Sequence, residues 1–482
     1  MAEIKDDGHM KVLFAAAEAS PFIKVGGLGD VLGGLPKELC LKGVDARVVI
    51  PLYSSINDDL KRTMRYIANI TVENSWRKSY CGIFEAEHEG VKYYFIDNEQ
   101  YFMRGNVYGE PDDGERFAFF SRAVLEILPV IDFFPDIINA NDWHTGLVCV
   151  YLNAHYRLRE GFEKIKTVLS IHNIEFQGKF NPYVLGELFG LDTEHKQILM
   201  YDGDLNILKG GIESSDIVST VSRKYAEEIL GKEHSFGLHN ILKARRDKIR
   251  GIINGIDTTV FNPETDGFIK TNYGISTLRN KRFNKTFLQR SMALEEKSSV
   301  PLIGMVTRLT KQKGLDLFYE VMDEISELNI QLVVLGTGAF EYEEMMHDWE
   351  RRRYDKVRGV VRFAPDVASM IYAGADLFLM PSKFEPCGLA QMIAMRYGTI
   401  PIVHTVGGLC DTVTPYNPET KEGDGITFQS YNSYDMLDAI KRAIAIYENK
   451  ADWLKIRKNA MQKDVSWNIP ADEYIKMYKE LV

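Results

Sequence analysis

Cations, carboxylates and glycines fall together in a few short stretches, and the chemistry they suit is the holding of a phosphorylated ligand. In Pro381-Ser382-Lys383-Phe384-Glu385-Pro386-Cys387-Gly388-Leu389-Ala390-Gln391 a predicted strand ends, the chain turns, and a helix begins at about Gly388. Glu385 then stands just before a helix N-terminus, which favours its ionised form and offers N–H groups to a phosphate. A plain carboxylate cap is the other reading. Downstream, His404-Thr405-Val406-Gly407-Gly408-Leu409 repeats the strand-then-glycines arrangement and suits another close backbone approach to the ligand. Arg308-Leu309-Thr310-Lys311-Gln312-Lys313-Gly314 directly follows an earlier strand pattern. There Arg308 can fork onto a phosphate and Lys313 can add a point charge; a solvated charged loop is the alternative. Gly336-Thr337-Gly338 is a further turn able to approach a nucleotide.

In the first half of the chain, Lys24-Val25-Gly26-Gly27-Leu28-Gly29-Asp30 sits between an apolar run from Val12 and a helical pattern through Leu32, Leu35 and Leu39. Its glycines let the backbone turn tightly and bring N–H groups to an anion, with the helix start and Lys24 adding positive potential. The spacing is neither GxGxxG nor GxxxxGK(S/T), so a structural turn is an equal reading. Asn141-Asp142-Trp143-His144 and Ile171-His172-Asn173 follow two more strand patterns. For Asp142 and His144, contact with a sugar hydroxyl competes with a helix cap made by Asn141 or Asp142 beside a solvated His144. His172 and Asn173 have no helix to cap and read as functional. Asp142 and His144 are two residues apart, HExxH is missing and no cysteine lies nearby, so no metal site is expected.

These residues need strand ends to carry them. Short apolar runs at Arg47 to Ile50, Asp136 to Asn139, Thr167 to Ser170, Ile217 to Val221 and Gly251 to Ile253 alternate with amphipathic stretches. That rhythm predicts an α/β fold with a doubly wound parallel sheet. Tyr66 to Val72 and Val91 to Ile96, set apart by Gly82 and Gly90, read as antiparallel additions. After Asn254-Gly255-Ile256-Asp257 a polar hinge region runs to about Ser299, with a helix around Lys285 to Leu294. The rhythm restarts at Leu302 to Val306 and continues through Gln331 to Leu335, Val360 to Phe363, Leu377 to Met380 and Pro401 to Val403. The division expected is therefore a leader at 1–9, an N-terminal domain at 10–256, a hinge and C-terminal domain at 257–468, and a helix at 469–482 packing back on the N-terminal domain. Ligands of open α/β sheets lie at the carboxyl ends of strands, so two such sheets facing one another would hold a site in the cleft between them.

Composition bounds the partners. A net charge of −10 over 482 residues argues against a nucleic-acid or anionic-membrane surface, so any phosphate site must be local. No apolar run approaches the roughly 18 residues a membrane helix needs. The five cysteines are scattered and odd in number, which fits a reducing cytoplasm.

Taken together, KVGGLGD at 24–30, NDWH at 141–144, IHN at 171–173, NGID at 254–257, RLTKQKG at 308–314 and FEPCGL at 384–389 resemble the bacterial glycogen synthases and plant starch synthases. The resemblance runs from about Met10 to the C-terminus. It implies two Rossmann-like domains facing across a cleft in a GT-B-type architecture. It also implies transfer of glucose from ADP-glucose to the 4-hydroxyl at the non-reducing end of an α-1,4-glucan, with retention of configuration. Nucleotide sugar and glucan would be the partners, with no cofactor and no metal, in the cytoplasm, or in a plastid stroma for a plant chain shorn of its transit peptide. By motif, Lys24, Gly27 and Asp30 would contact the sugar nucleotide, and Arg308 and Lys313 the diphosphate. Glu385 would lie by the donor glucose, Cys387, Gly388 and Leu389 at the phosphates and glucose, His172 by the sugar, Asn254 near the hinge and Phe363 against adenine.

Two positions depart from related transferases. Ile393 stands where many carry a second glutamate eight residues after the first, and Ala390 stands where many have threonine. The alternatives are a sucrose-synthase-like enzyme of the same architecture and a catalytically silent glucan-binding protein. A dehydrogenase is disfavoured, because GxGxxG follows neither domain's first strand.

Overall fold

The computed structural model describes residues 9–482, and most of the expected leader lies outside the described residues. His9 is the first described residue, and its Nδ1 lies 2.7 Å from the carbonyl oxygen of Gly43. The chain divides into two compact units, one running to Gly255 and taking in Trp467–Val482, the other Ile256–Ser466. No helix among the described residues is long and apolar enough to cross a membrane. None of the five cysteines is in a disulfide.

The strands of the first unit are β1 (Lys11–Ala15), β2 (Asp45–Pro51), β3 (Arg65–Asn74), β4 (Arg77–His88), β5 (Val91–Asp97), β6 (Ile137–Asn141), β7 (Lys166–Ile171), β8 (Lys179–Phe180), β9 (Met200–Tyr201), β10 (Asp204–Asn206), β11 (Ile217–Thr220) and β12 (Ile249–Gly251). Nine of them form one sheet in the order β12-β11-β7-β6-β1-β2-β5-β4-β3, and β8-β10-β9 make a small separate one. Strand β1 pairs in parallel with β2 on one side and β6 on the other. The winding reverses there, and at such a switch point the loops leaving neighbouring strands diverge and open a crevice. The loops after β1 and β6 carry the Lys24 and Asp142 motifs.

The second unit holds β13 (Leu302–Val306), β14 (Gln331–Leu335), β15 (Val357–Val360), β16 (Leu377–Met380), β17 (Ile400–His404) and β18 (Ile426–Phe428) in the order β15-β14-β13-β16-β17-β18. All the pairs are parallel. Its switch point lies between β13 and β16, whose following loops carry Arg308 to Lys313 and Glu385. Strand β14 is buried at every position, as a strand covered by helices on both faces must be.

Three expectations about elements need correcting. The strand expected at Val360 to Phe363 is Val357–Val360. Arg358 disguised its start, because its guanidinium is buried and spent on the carbonyls of Met292, Ala293, Tyr354 and Val357. Gly82 is no separator: it lies inside β4, where a Cβ would stand 2.7 Å from the Tyr80 hydroxyl. Strand β4 runs antiparallel to both β3 and β5, as expected, and the three extend the main sheet beyond β2. The helix expected at Lys285 to Leu294 is Lys281–Ser291, begun by buried Lys281, whose ammonium donates to Tyr372 O, Ala373 O and Thr399 Oγ1.

The helix Asn468–Tyr478 belongs to the first unit. The fully buried Tyr478 hydroxyl donates to Asn139 Oδ1 at 2.8 Å. Asn139 Nδ2 in turn donates to Ser170 Oγ at 2.8 Å, and that hydroxyl meets Ser219 Oγ at 2.7 Å. A chain of polar groups thus crosses β6, β7 and β11 with each member satisfied, as buried polar groups must be.

Candidate functional site

Each unit builds its own set of polar groups at its switch point. In the second, the loop after β13 and the loop after β16 are joined by the Lys383 N–H, which donates to Gln312 O at 2.8 Å. That places Lys313 Nζ 2.6 Å from Glu385 Oε2, with the side chains 16% and 8% exposed. Ser382 Oγ donates to the same carboxylate oxygen at 2.9 Å. Glu385 is thus no helix cap. The following helix starts at Ala390 rather than at Gly388, because Gly388 takes a left-handed backbone (φ 73°) that breaks the helical run.

The loop after β17 closes against this turn. The Gly408 N–H donates to Glu385 O at 3.0 Å, and Cβ atoms at Gly407 and Gly408 would stand 2.1 Å from Glu385 O and 2.2 Å from Cys387 O. The close approach these glycines permit is between two loops of the protein. Gln391 Nε2 donates to Cys387 O and Gly388 O at 3.2 and 2.8 Å and keeps the turn in shape. Cys387 is buried, and Leu389 is intermediate in exposure. Arg308 stands exposed at the rim, with Nη2 3.3 Å from Gln312 Oε1. Phe363 lies in the loop after β15 and is 86% exposed.

In the first unit Gly27 opens the helix Gly27–Leu41, behind an extended Gly26. Lys24 Nζ pairs with Asp30 Oδ1 at 2.6 Å, with Lys24 44% exposed. The N–H groups of Val25 and Gly26, expected to face a phosphate, both donate to Glu18 Oε2. Glu18 was not legible as a site residue. It is one acid in the run Ala15 to Ala19, and only its type, a carboxylate among buried alanines just past a strand, was a signal. Burial raises its carboxyl above the usual range, while the Val25 and Gly26 N–H groups pull it back.

Asp142 makes no cap either. Its Oδ1 accepts the N–H groups of His172 at 2.8 Å and Asn173 at 3.3 Å, and its backbone is held at φ 56°, ψ −174°. Such a conformation is costly outside glycine and marks a position that its surroundings over-determine. Burial pushes its carboxyl up to about 7, against those two N–H groups, and the Glu18 charge adds to the rise. Asn141 donates its amide to Ala15 O and Asn139 O, both at 3.0 Å, which turns Oδ1 toward His172 Nε2 at 2.8 Å. The amide orientation therefore assigns the His172 proton to Nε2 and leaves Nδ1 an acceptor. Asn173 Oδ1 accepts the Glu175 N–H at 3.0 Å.

His144 is half-buried, its Nδ1 shut off from solvent, and it is not part of that network. Its ring packs against Trp143, Phe117 and Tyr108 with centroids 4.3, 4.7 and 4.7 Å away. Buried Asn254 has no hydrogen-bonding partner for its Oδ1 among the described residues.

Burial lowers His172 to about 4, and burial followed by the Arg116 charge lowers His144 to about 3. Both fall below the ordinary 6.5, so neutral rings contribute stability that is whole above pH 6.5 and lost as pH falls toward these values. Asp142, raised from 3.8 to about 7, acts the other way: its contribution is whole below 3.8 and lost as pH rises toward 7. Burial raises the carboxyls of Glu18, Asp30 and Asp97 in the same unit as well, so the carboxyls oppose the two imidazoles on acidification. Nitrogen NMR should find both rings neutral from about pH 8 to about 5. A His144 midpoint near 6.5 would overturn this assignment.

A family model for the starch synthase catalytic domain matches residues 11–244, and one for glycosyl transferases group 1 matches residues 289–460. The chain is 49% identical to the glycogen synthase of Clostridium beijerinckii over 475 residues, 98% of this chain and 99% of that one. It is 48% identical to the glycogen synthase of Geobacillus stearothermophilus, with 98% of each covered. Among solved structures it is similar to the catalytic domain of starch synthase IV from Arabidopsis thaliana bound to ADP and acarbose. There the TM-score is 0.91 at 35% identity, over 98% of this chain and 99% of that one.

Proposed function

The chain belongs to the glycogen synthase family, and from that premise we propose that it transfers glucose from ADP-glucose to the non-reducing-end 4-hydroxyl of an α-1,4-glucan, releasing ADP with retention of configuration. It is a glucosyltransferase of two Rossmann-like domains. The observation that carries the finer reading is the enclosed Lys313–Glu385 pair at the second unit's switch point, with Arg308 at its rim.

When the C1–O bond to ADP breaks, negative charge gathers on the diphosphate and positive character on the sugar ring. Arg308 and Lys313 answer the first, and the motif that holds Lys24 makes it a contact of the sugar nucleotide; because protein cations meet this need, the reading requires no metal. Positioned cations around a leaving phosphate contribute several kcal/mol to the transition state, against about 0–1 kcal/mol for an exposed ion pair. Glu385 orients the glucose hydroxyls and balances the ring, while His172 accepts a sugar hydroxyl at Nδ1. Cys387, Gly388 and Leu389 line the turn beneath the phosphates. Buried Ile393 stands where related transferases often carry a second glutamate, so no carboxylate pair is formed with Glu385. The acceptor oxygen therefore attacks C1 on the face that ADP leaves, and its proton passes to the departing phosphate oxygen. The cysteines, none of them in a disulfide, support a cytoplasmic setting.

Purified protein given glycogen is expected to elongate it with ADP-glucose at least about tenfold faster than with UDP-glucose. Preference for UDP-glucose would favour the sucrose-synthase-like alternative. Binding of glycogen with no nucleotide released would leave a silent glucan binder.

A further inference from the structure

We infer that Glu18 is the positioning residue of the Lys24 loop, its carboxylate holding the N–H groups of Val25 and Gly26 so that Lys24 is presented to the sugar nucleotide. This rests on the reading of Lys24 given above.

The loop has little else to hold it. Lys24, Val25, Gly26 and Gly27 are all exposed, and Val25 turns 60% of its surface outward, so burial of side chains does not anchor the segment. In the Lys24–Asp30 pair the lysine is 44% and the aspartate 23% exposed, so solvent reaches the pair and makes it a weak tether. Glu18 is 2% exposed, behind Ala16, Ala17 and Ala19, which have no exposed surface. The chain past it turns sharply: the Ile23 N–H donates to Ala19 O at 3.0 Å, and the Ser20 N–H donates to Gly29 O at 3.0 Å. This turn brings residues 25 and 26 back over the carboxylate, where one oxygen accepts two successive backbone donors. Hydrogen bonds to an ionised acceptor are roughly twice as strong as neutral ones. The Tyr108 side chain lies close enough to Glu18 to favour its ionised form, and its ring packs on His144 with centroids 4.7 Å apart.

Two consequences separate this role from mere packing. The first backbone donors of the glycine-rich loop are already committed inside the protein, so what the loop offers a ligand is Lys24 and the start of the helix. The effect of losing Glu18 should also be confined to the donor.

The test uses the full chain carrying Glu18→Ala, Glu18→Gln or Lys24→Ala, with hydrogen exchange of the 24–30 segment and separate kinetics for ADP-glucose and glycogen. Glu18→Ala is expected to speed exchange at Val25 and Gly26 by at least about tenfold and raise KM for ADP-glucose about tenfold, leaving KM for glycogen within about twofold. Glu18→Gln keeps an acceptor oxygen and should stay within about threefold of the parent KM. If Glu18→Ala fails to fold, the Gln variant decides: exchange and KM near the parent support the role, and values shifted about tenfold overturn it. Unchanged exchange and unchanged ADP-glucose KM in Glu18→Ala also overturn it, as does an equal rise in the glycogen KM. An unchanged ADP-glucose KM in Lys24→Ala would remove the reading of Lys24 and, with it, the donor half of the inference, whatever the exchange result.

Discussion

Glu385→Ala and Lys313→Ala are each expected to lower glucan elongation by at least about a thousandfold, which is the upper range for removing one preorganised charged group. Each should also weaken the second unit by about 3 kcal/mol, because the partner is left as an uncompensated charge at 8–16% exposure. A domain with about 5–15 kcal/mol of stability survives that loss, so folded protein remains to be assayed. The double variant Lys313→Met with Glu385→Gln separates the two effects. With neither charge left to bury, its thermal midpoint should return close to the parent value, while turnover stays at the level of the single variants. Recovery of turnover along with the midpoint would make the pair structural.

Gly407→Ala is expected to be strongly damaging although it adds a single methyl group. The residue has φ 47°, and its new Cβ would meet a backbone atom, Glu385 O, at 2.1 Å. Left-handed backbone and overpacking together cost about 2–4 kcal/mol, a fall of roughly 5–15 °C in thermal midpoint for a unit of this size. Since the displaced atom belongs to Glu385, turnover should drop by about tenfold or more at temperatures where the variant is folded. Gly237→Ala is the control: φ is 96° there, but nothing lies within 4 Å of the added atom. It should show only the backbone cost, about 1 kcal/mol, with turnover unchanged. Equal effects of the two substitutions would show that the contact with Glu385 carries no weight.

The alternation of apolar runs with amphipathic stretches made both doubly wound sheets legible, since period and length alone separate buried parallel strands from helices. The strand ends were legible too, and with them the neighbourhoods of Lys313, Glu385, Asp142 and His172. What linear spacing cannot carry is which of these groups meet. Lys313 and Glu385 lie 72 positions apart, and each was read as acting on a ligand, whereas in the structure each is the other's partner. The same limit hid the aromatic enclosure of His144, which Phe117 and Tyr108 supply from a different stretch of chain. Glu18 was missed for another reason: the loop motif drew attention to its own amide groups, and an internal acceptor for them leaves no pattern beyond one acid among alanines. Arg358 and Gly82 misled because each is in a strand for a local reason, a buried guanidinium satisfied by carbonyls and a site with no room for a Cβ.

The helix Asn468–Tyr478 bears on how the protein is made. A ribosome delivers the nine-stranded sheet first and the residues that finish it last, because the Asn139 amide waits for the Tyr478 hydroxyl. The second unit, contained within Ile256–Ser466, has no such debt to the helix Asn468–Tyr478 and can close its sheet before that helix is made. A premature stop shortly after Ser466 would thus spare the later-made unit and leave the earlier-made one with an opened core.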